Sequence, residues 1–259
     1  MARVKRVLAP NPGPYTGPGT NTWVITEPPA AVVVDPGPDS DAHLEAILAA
    51  LGGLPVAVVL VTHSHPDHAP LASRLAERTQ SRVAAHPELG DGDVVRAGKL
   101  SLEVVHTPGH AHDHLCFALR SDGAVFTGDL VLGQGSTMVT YPDGDMAAYL
   151  ASLDRLASLE PRILFPGHWD PVAAPGADPL RKIAEYKAHR LDRERQILAE
   201  VRRGPGSAED LTRRVYGAEV GPDLLPAAEM TLRAHLAKLV AEGAVTESGA
   251  TFSASNPAP

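Results

Sequence analysis

The stretch THSHPDH, residues 62–68, sets three histidines and an aspartate within six positions, directly behind the aliphatic run VAVVLV. Imidazole and carboxylate are the donors that borderline divalent cations prefer. A turn that follows a strand changes backbone direction fast enough for such side chains to converge on one point. His63 and His65, at alternate positions, can hold one ion, while Asp67 and His68 point towards a second. Taken alone, the stretch could be a polar surface loop. Three later stretches argue against that: VVHTPGH ends in His110, AVFTGD in Asp129 and RILFPGH in His168. Each is a β-type run closing in a short Gly-containing turn whose last residue can ligate. Four strand ends meeting at one edge of a fold would deliver seven ligands to a two-metal centre. Two divalent ions sharing a water stabilise hydroxide at neutral pH, since a single zinc already lowers the water pKa to about 7. Such a hydroxide attacks a carbonyl carbon or a phosphorus without a nucleophilic side chain. In keeping with this, the sequence has no Gly-x-Ser-x-Gly elbow and no phosphate-cradling glycine loop.

The elements that must position these residues divide the chain into two styles. Up to about Pro175, β-type runs such as TNTWVIT, AAVVVD, VAVVLVT, LSLEVVHT, HLCFAL and AVFTGD alternate with helical stretches such as SDAHLEAILAAL and PLASRLAERT. That alternation predicts sheets covered by helices. From Pro179 the pattern is almost wholly helical: a long PLRKIAEYKAHRLDRERQILAEVRRG, a shorter SAEDLTRRVYG, then PAAEMTLRAHLAKLVAEG and a terminal AVTESGATFS. Three helices and a hairpin are the order of a winged-helix module. The expected domains are therefore 1–178, carrying the ligands, and 179–259.

Composition sets the limits. The chain has 259 residues, enough for one substantial core with a small appendage, and 44% hydrophobic with 21% charged residues is ordinary for a globular protein. No apolar run reaches membrane-spanning length and the start MARVKRVLAP lacks the apolar stretch of a secretory signal, so a cytoplasmic protein without a membrane partner is expected. One cysteine, Cys116, cannot close an intrachain disulfide, and its apolar surroundings suit a buried small hydrophobe better than a nucleophile. Net charge is −8, with 12 Lys+Arg against 11 Asp+Glu from Leu180 onward and 11 against 20 before it. A protein gripping nucleic acid through phosphate neutralisation shows the opposite sign on at least one face. The nearly neutral tail also argues against a DNA-binding regulator; packing or self-association through the tail, as in a homodimer, suits it better.

THSHPDH, TPGH, GD and GH in this order resemble the metallo-β-lactamase superfamily. NPGPYTGPGTNTWVIT and VVVDPG are similar to its opening strands, and FTGDLVLGQGST and the tail beginning YKAHRLDRERQIL resemble the subgroup of the lactamase-beta-like endoribonuclease 2. The resemblance implies an α+β fold, an αββα sandwich with the metals at one edge, and a small C-terminal winged-helix-like domain. It implies that His63, His65 and His110 bind one zinc, that Asp67, His68 and His168 bind the other, and that Asp129 bridges them; manganese or iron could stand in for zinc. A carboxylate suits a bridge, having two oxygens and a negative charge to place between two cations. Asp67 and Asp129 are the catalytic candidates, Asp67 because its spacing lets it orient the nucleophile or accept its proton. True β-lactamases of several subclasses have a cysteine near Asp129, so drug hydrolysis is not the expected task.

For the substrate, the subgroup implies a nuclease acting on single-stranded RNA or another phosphodiester. The alternative is a thioesterase or esterase acting on a small or carrier-bound acyl group, like the more distant hydroxyacylglutathione hydrolases. The acidic charge and the aromatic content of only 4%, poor in base-stacking platforms, favour the latter. Tyr141 in TYPDGD is a candidate for the pocket wall, and His189 or Arg190 on the long helix for an anionic substrate group. His112 and His114 are candidates for support or proton donation, with Asp113 the better one for holding a ligand in place, and the glycines of GQGST for close backbone approach. After the last PGH the chain reads Trp169-Asp170-Pro171 where many relatives have a glycine; the indole narrows the pocket or packs on the last helix.

Overall fold

A computed structural model describes residues 2–173 and 175–255; Met1, Ala174 and residues 256–259 of the two expected domains lie outside them. The chain forms two compact units. One comprises Met1–Thr107, Asp113–Thr137 and Asp154–Ile183; the other comprises Pro108–His112, Met138–Leu153 and Ala184–Pro259.

The first unit is built on two sheets. β1 (Arg3–Leu8), β2 (Asn21–Glu27), β3 (Ala30–Val34), β4 (Val56–Leu60) and β5 (Arg82–Ala84) lie in that order, with α1 (Asp41–Leu51) and α2 (Ala72–Thr79) between β3 and β5 in the chain. β1, β2 and β3 form an antiparallel meander, whereas β3, β4 and β5 run parallel. The second sheet has the order β11-β10-β9-β8-β7-β6, formed by β6 (Val94–Ala97), β7 (Leu100–His106), β8 (Leu115–Leu119), β9 (Ala124–Gly128), β10 (Ile163–Pro166) and β11 (Val172–Ala173), with α3 (Met146–Ser158) preceding β10.

Strand periodicity explains why β3 and β4 read as unbroken aliphatic runs. Val32, Val34, Val58 and Leu60 face a core shared with Leu102, Leu115, Phe117, Phe126 and Phe165 of the second sheet. Their neighbours Val33, Val59 and Val61 face Leu44, Ile47, Leu71 and Leu75, from α1, α2 and the approach to α2. A strand buried on both faces has no polar side to show. Trp23, Phe126 and Phe165 pack at centroid distances of 4.8–6.5 Å in the first of these cores. The sequence-predicted strands coincide with β2, β3, β4, β7, β8, β9 and β10; the short or charged β1, β5, β6 and β11 carry too few alternating apolar residues to announce themselves.

In the second unit, α4 (Pro179–Arg203, from Ala184 onward), α5 (Ala208–Tyr216), α6 (Leu225–Ala241) and the hairpin of β12 (Val245–Ser248) and β13 (Thr251–Ala254) enclose their own core. Ile197, Val201, Leu211, Leu232, Leu236, Val245 and Phe252 supply it. Ser207 and Asp210 form a reciprocal capping box at the start of α5, and Gly206 pairs with Phe252. The expected α+β sandwich with a C-terminal winged-helix domain is the fold the chain adopts. No helix among the described residues is long and apolar enough to cross a membrane.

His43 shows how burial in the first unit translates into pH dependence. Its Nε2 donates at 2.8 Å to Thr22 Oγ1, whose hydroxyl donates to the Asp35 carbonyl at 2.7 Å. Burial lowers its pKa from 6.5 to about 4, against a smaller opposing contribution from the Pro36 carbonyl. A depressed histidine favours the fold while neutral, so this contribution is complete above pH 6.5 and drains away as the pH falls towards 4. Urea midpoints measured across that window are expected to decline on acidification, with a shallower slope in His43→Gln.

Candidate metal centre

β4, β9 and β10 end at the same edge of the first unit. Parallel pairing aligns Pro166 of β10 with Gly128 of β9, so Asp129 and His168 leave the sheet side by side. The Thr62 carbonyl accepts from Leu115 N at 2.7 Å, drawing the end of β4 towards the start of β8. Gly167 is clasped from both sides, its N–H donating to the Gly128 carbonyl at 2.8 Å and its carbonyl accepting from Asn21 N at 2.7 Å. The Asn21 side chain also donates to the carbonyls of Pro166 at 3.0 Å and Trp169 at 2.6 Å. The loop bearing His168 is thereby fixed to β2.

The donor atoms of Asp67, His68 and His168 lie within 4.8 Å of one another, as do those of His63, His68 and Asp129. His63 Nε2 faces His65 Nδ1 at 3.0 Å. The two Asp129 oxygens face different histidines, Oδ1 at 3.5 Å from His68 Nε2 and Oδ2 at 3.5 Å from His168 Nε2. Asp67 Oδ2 stands 3.4 Å from His68 Nε2 and 3.2 Å from His168 Nε2. Six of the seven expected ligands are thus gathered in the first unit. The seventh, His110, follows β7 on a segment of the second unit, buried, with Nδ1 donating to the Met138 carbonyl at 2.6 Å.

A hydrogen-bond chain selects which nitrogen each imidazole presents. Buried Asp35, at the end of β3, accepts from Thr62 N at 2.7 Å through Oδ1, and from Thr62 Oγ1 at 2.8 Å through Oδ2. Since the Thr62 hydroxyl spends its proton on Asp35, the 2.9 Å contact to His63 Nδ1 requires His63 to donate. His68 Nδ1 donates to Asp35 Oδ2 at 3.0 Å, and His168 Nδ1 to the Gly19 carbonyl at 3.2 Å. Each ring is left with Nε2 turned towards the cluster, as ligating histidines require.

The residues fit a divalent cation. His68 Nε2 is fully buried and makes no hydrogen bond among the described residues, although carboxylate oxygens stand on two sides of it. Room is kept by Gly167, where a Cβ would lie 2.5 Å from Asp129 Oδ1 and 2.7 Å from His68 Cε1. Burial pushes the Asp129 carboxyl up, but the charges of His168 and His68 hold it well below the usual range. His168 rises to about 9: burial opposes protonation, while Asp129 and Asp67 favour it. Protons and divalent ions compete for these Nε2 atoms.

Of the remaining candidates, His114 is buried and supports Asp129: its Nε2 accepts from Asp129 N at 3.2 Å and its Nδ1 donates to Thr107 Oγ1 at 2.9 Å. Asp113 Oδ2 accepts from Ser64 N at 3.0 Å, steadying the turn between His63 and His65. In the second unit, His112 pairs with Asp143 at 2.7 Å and is exposed, as is Tyr141, whose N–H donates to the Met230 carbonyl at 3.3 Å. His189 is exposed on α4, whereas Arg190 is buried with its guanidinium carbon 5.7 Å from the centre of the Tyr149 ring. Trp169 packs on Gly17, whose Cβ, if present, would lie 2.5 Å from the indole Cε2. Asp35 and Thr62 were not singled out from the sequence; an aspartate closing the buried run VVV was the available signal.

Residues 15–91 and 87–168 match the family model of the metallo-beta-lactamase superfamily, and residues 207–253 that of the beta-lactamase associated winged helix domain. An atrochrysone carboxyl ACP thioesterase of Aspergillus chevalieri is 32% identical over 234 residues, spanning 83% of this chain and 73% of that one. A beta-lactamase-like protein 2 homolog of Drosophila melanogaster is 30% identical over 270 residues, spanning 93% and 88%. A solved metallo-beta-lactamase family protein of Thermus thermophilus superposes with a TM-score of 0.82 at 25% identity, covering 97% of this chain and 98% of that one.

Proposed function

The chain belongs to the metallo-beta-lactamase superfamily and is a metal-dependent hydrolase, and on that premise we propose that it hydrolyses acyl thioesters at a centre holding two divalent ions. The observation that carries the reaction type is the pair of donor groups sharing His68, with Asp129 grouped with His63 in one and its Oδ2 3.5 Å from His168 of the other. Relatives named as carrier-protein thioesterases and the net charge of −8 support the acyl substrate over a phosphodiester. We assign His63, His65 and His110 to one ion, Asp67, His68 and His168 to the other, and Asp129 to both. Zinc, manganese or iron suits this donor set.

When bound, the ions would polarise the thioester carbonyl and bring the pKa of water to about 7. The protein supplies the placement. Asp67, the most exposed carboxylate of the group at 24% for its side chain, is partly open to solvent while its Oδ2 lies 3.2 Å from His168 Nε2. It is placed to accept a hydrogen bond from the attacking water and aim it at the carbonyl carbon. The water oxygen forms the new C–O bond, the C–S bond breaks, and the products are a carboxylic acid and a thiol. Asp35, Thr62 and the Gly19 carbonyl hold the imidazoles in one tautomer throughout.

No thiolate of the protein is needed. Cys116 is fully buried, and desolvation pushes its thiol up to about 12 despite the Thr107 hydroxyl beside it. Native protein is therefore expected to leave Ellman's reagent unreacted over minutes and to release about one thiol equivalent in denaturant. That silence makes product thiol directly readable. The zinc-loaded protein, tested in parallel on acyl thioesters of a small thiol and on single-stranded RNA, is expected to release thiol at least about 100-fold faster than His63→Ala. Cleaved RNA with intact thioesters would overturn the acyl reading and support the phosphodiester one.

A further inference from the structure

The loop between β1 and β2 is bound at its base to the candidate ligands. Asn11 clasps Thr20 twice, accepting from its N–H at 2.9 Å and donating to its Oγ1 at 3.0 Å, and Thr20 Oγ1 lies 3.5 Å from Asp67 Oδ2. Thr20 also bridges His168, whose Nδ1 bonds Gly19. At the far end Gly13 and Gly17 exchange backbone hydrogen bonds of 2.8 and 3.0 Å, which turns Pro14, Tyr15 and Thr16 into a tight tip. Tyr15 on that tip is 55% exposed.

Trp169 fills the space between tip and ligands. Its ring stands edge-on to His168 at 6.1 Å and rests where Gly17 lacks a side chain. Its backbone is left-handed, with φ 64°, a conformation that L side chains rarely adopt. Asn21 at 2.6 Å and Arg6 at 3.3 Å hold its carbonyl in place. Trp169, half-buried beside the candidate ligands, and Tyr15, exposed two residues before the Gly17 on which the indole rests, leave apolar surface at this edge. Arg6, which donates to the Trp169 carbonyl, is already paired with Asp170 at 2.7 Å, so this cation does not turn the wall towards phosphate recognition.

We propose that Trp169 and Tyr15 form the apolar wall that receives the acyl group of the substrate, Trp169 limiting its size next to the scissile carbonyl and Tyr15 covering its outer part. The assignment rests on the thioester reading above. Trp169 also reports on its own occupancy: the chain has two tryptophans, and Trp23 is buried at 3% exposure. Ketone analogues, with methylene in place of the thioester sulfur and acetyl, hexanoyl or benzoyl groups, are titrated into metal-loaded protein. The Trp169 emission is obtained by subtracting the Trp169→Phe spectrum. Hexanoyl and benzoyl analogues are expected to shift that emission to shorter wavelength, and Tyr15→Ala to weaken their binding about tenfold. Turnover is expected to follow, the hexanoyl-to-acetyl ratio of kcat/KM falling about tenfold in Tyr15→Ala and the preferred acyl group growing in Trp169→Gly. The wall is overturned if the analogues fail to bind, if they bind without moving the Trp169 emission, or if both variants keep the wild-type ratios. Tyr15-dependent binding of analogues without hydrolysis of any thioester would instead retire the thioester reading and leave the wall standing.

Discussion

Asp129→Ala is expected to strip the protein of both metal ions and to lower kcat/KM for a thioester by about three orders of magnitude or more, the equivalent of the several kcal/mol that charge stabilisation by bound metal supplies. The size of the effect follows from where the carboxylate stands. Removing a carboxylate that served one side alone would leave the other group intact; here Asp129 shares a donor group with His63, assigned to one ion, while its Oδ2 lies 3.5 Å from His168, assigned to the other. The backbone at this position stays anchored, since Asp129 N donates to His114 Nε2 at 3.2 Å whatever side chain follows. Folding should therefore survive, as judged by an unchanged circular dichroism spectrum. Elemental analysis decides the matter: close to two equivalents in the wild type and well under one in the variant. A variant that keeps one tightly held ion would contradict a shared ligand.

Much of this site could be read from single residues because each candidate ligand sits within a few positions of a strand end. A β-run of fixed period closing in a Gly turn places its last side chain almost by itself, which is why His63, Asp129 and His168 were legible. The partners that orient them were not. Asp35 precedes Pro36-Gly37, and an aspartate before Pro-Gly reads as an ordinary turn former; its three donors come from Thr62 and His68, brought near only by the parallel pairing of β3 with β4. Arg190 lies among charged residues on a long helix, a pattern that reads as a solvated face, yet it is buried over Tyr149. The same limit applies to the fold. Local periodicity gave the strands and the helical tail, but nothing local says that residues 108–112 and 138–153 pack with that tail in one unit. Trp169 shows the point at its sharpest: its misfit was visible as a bulky residue in a glycine-like position, while Gly17, the partner that makes room for it, was not.

Asp35→Asn tests whether orientation matters as much as ligation. Asparagine tolerates the left-handed backbone found here, φ 51°, and matches the aspartate in size, so neither strain nor a cavity confuses the result. Its amide has a single accepting oxygen, where the carboxylate accepts through two. If the NH2 takes the Oδ2 position, it faces Thr62 Oγ1 and His68 Nδ1, both of which donate in the wild type. The Thr62 hydroxyl must then turn its hydrogen towards His63 Nδ1, which drives the His63 proton onto Nε2, the atom proposed to ligate, and His68 Nδ1 loses its acceptor. If the amide sits the other way round, Thr62 N loses its acceptor instead. Either arrangement leaves a buried donor unpaired at a cost of about 1–3 kcal/mol. Metal affinity is expected to fall about 10–100-fold, as when an orienting partner is lost, and excess metal should restore most of the activity. That rescue separates Asp35 from Asp129, whose loss no metal concentration repairs. Wild-type affinity in Asp35→Asn would mean that the imidazoles are held by the fold around them and that the carboxylate chain from β3 has no part in setting their tautomers.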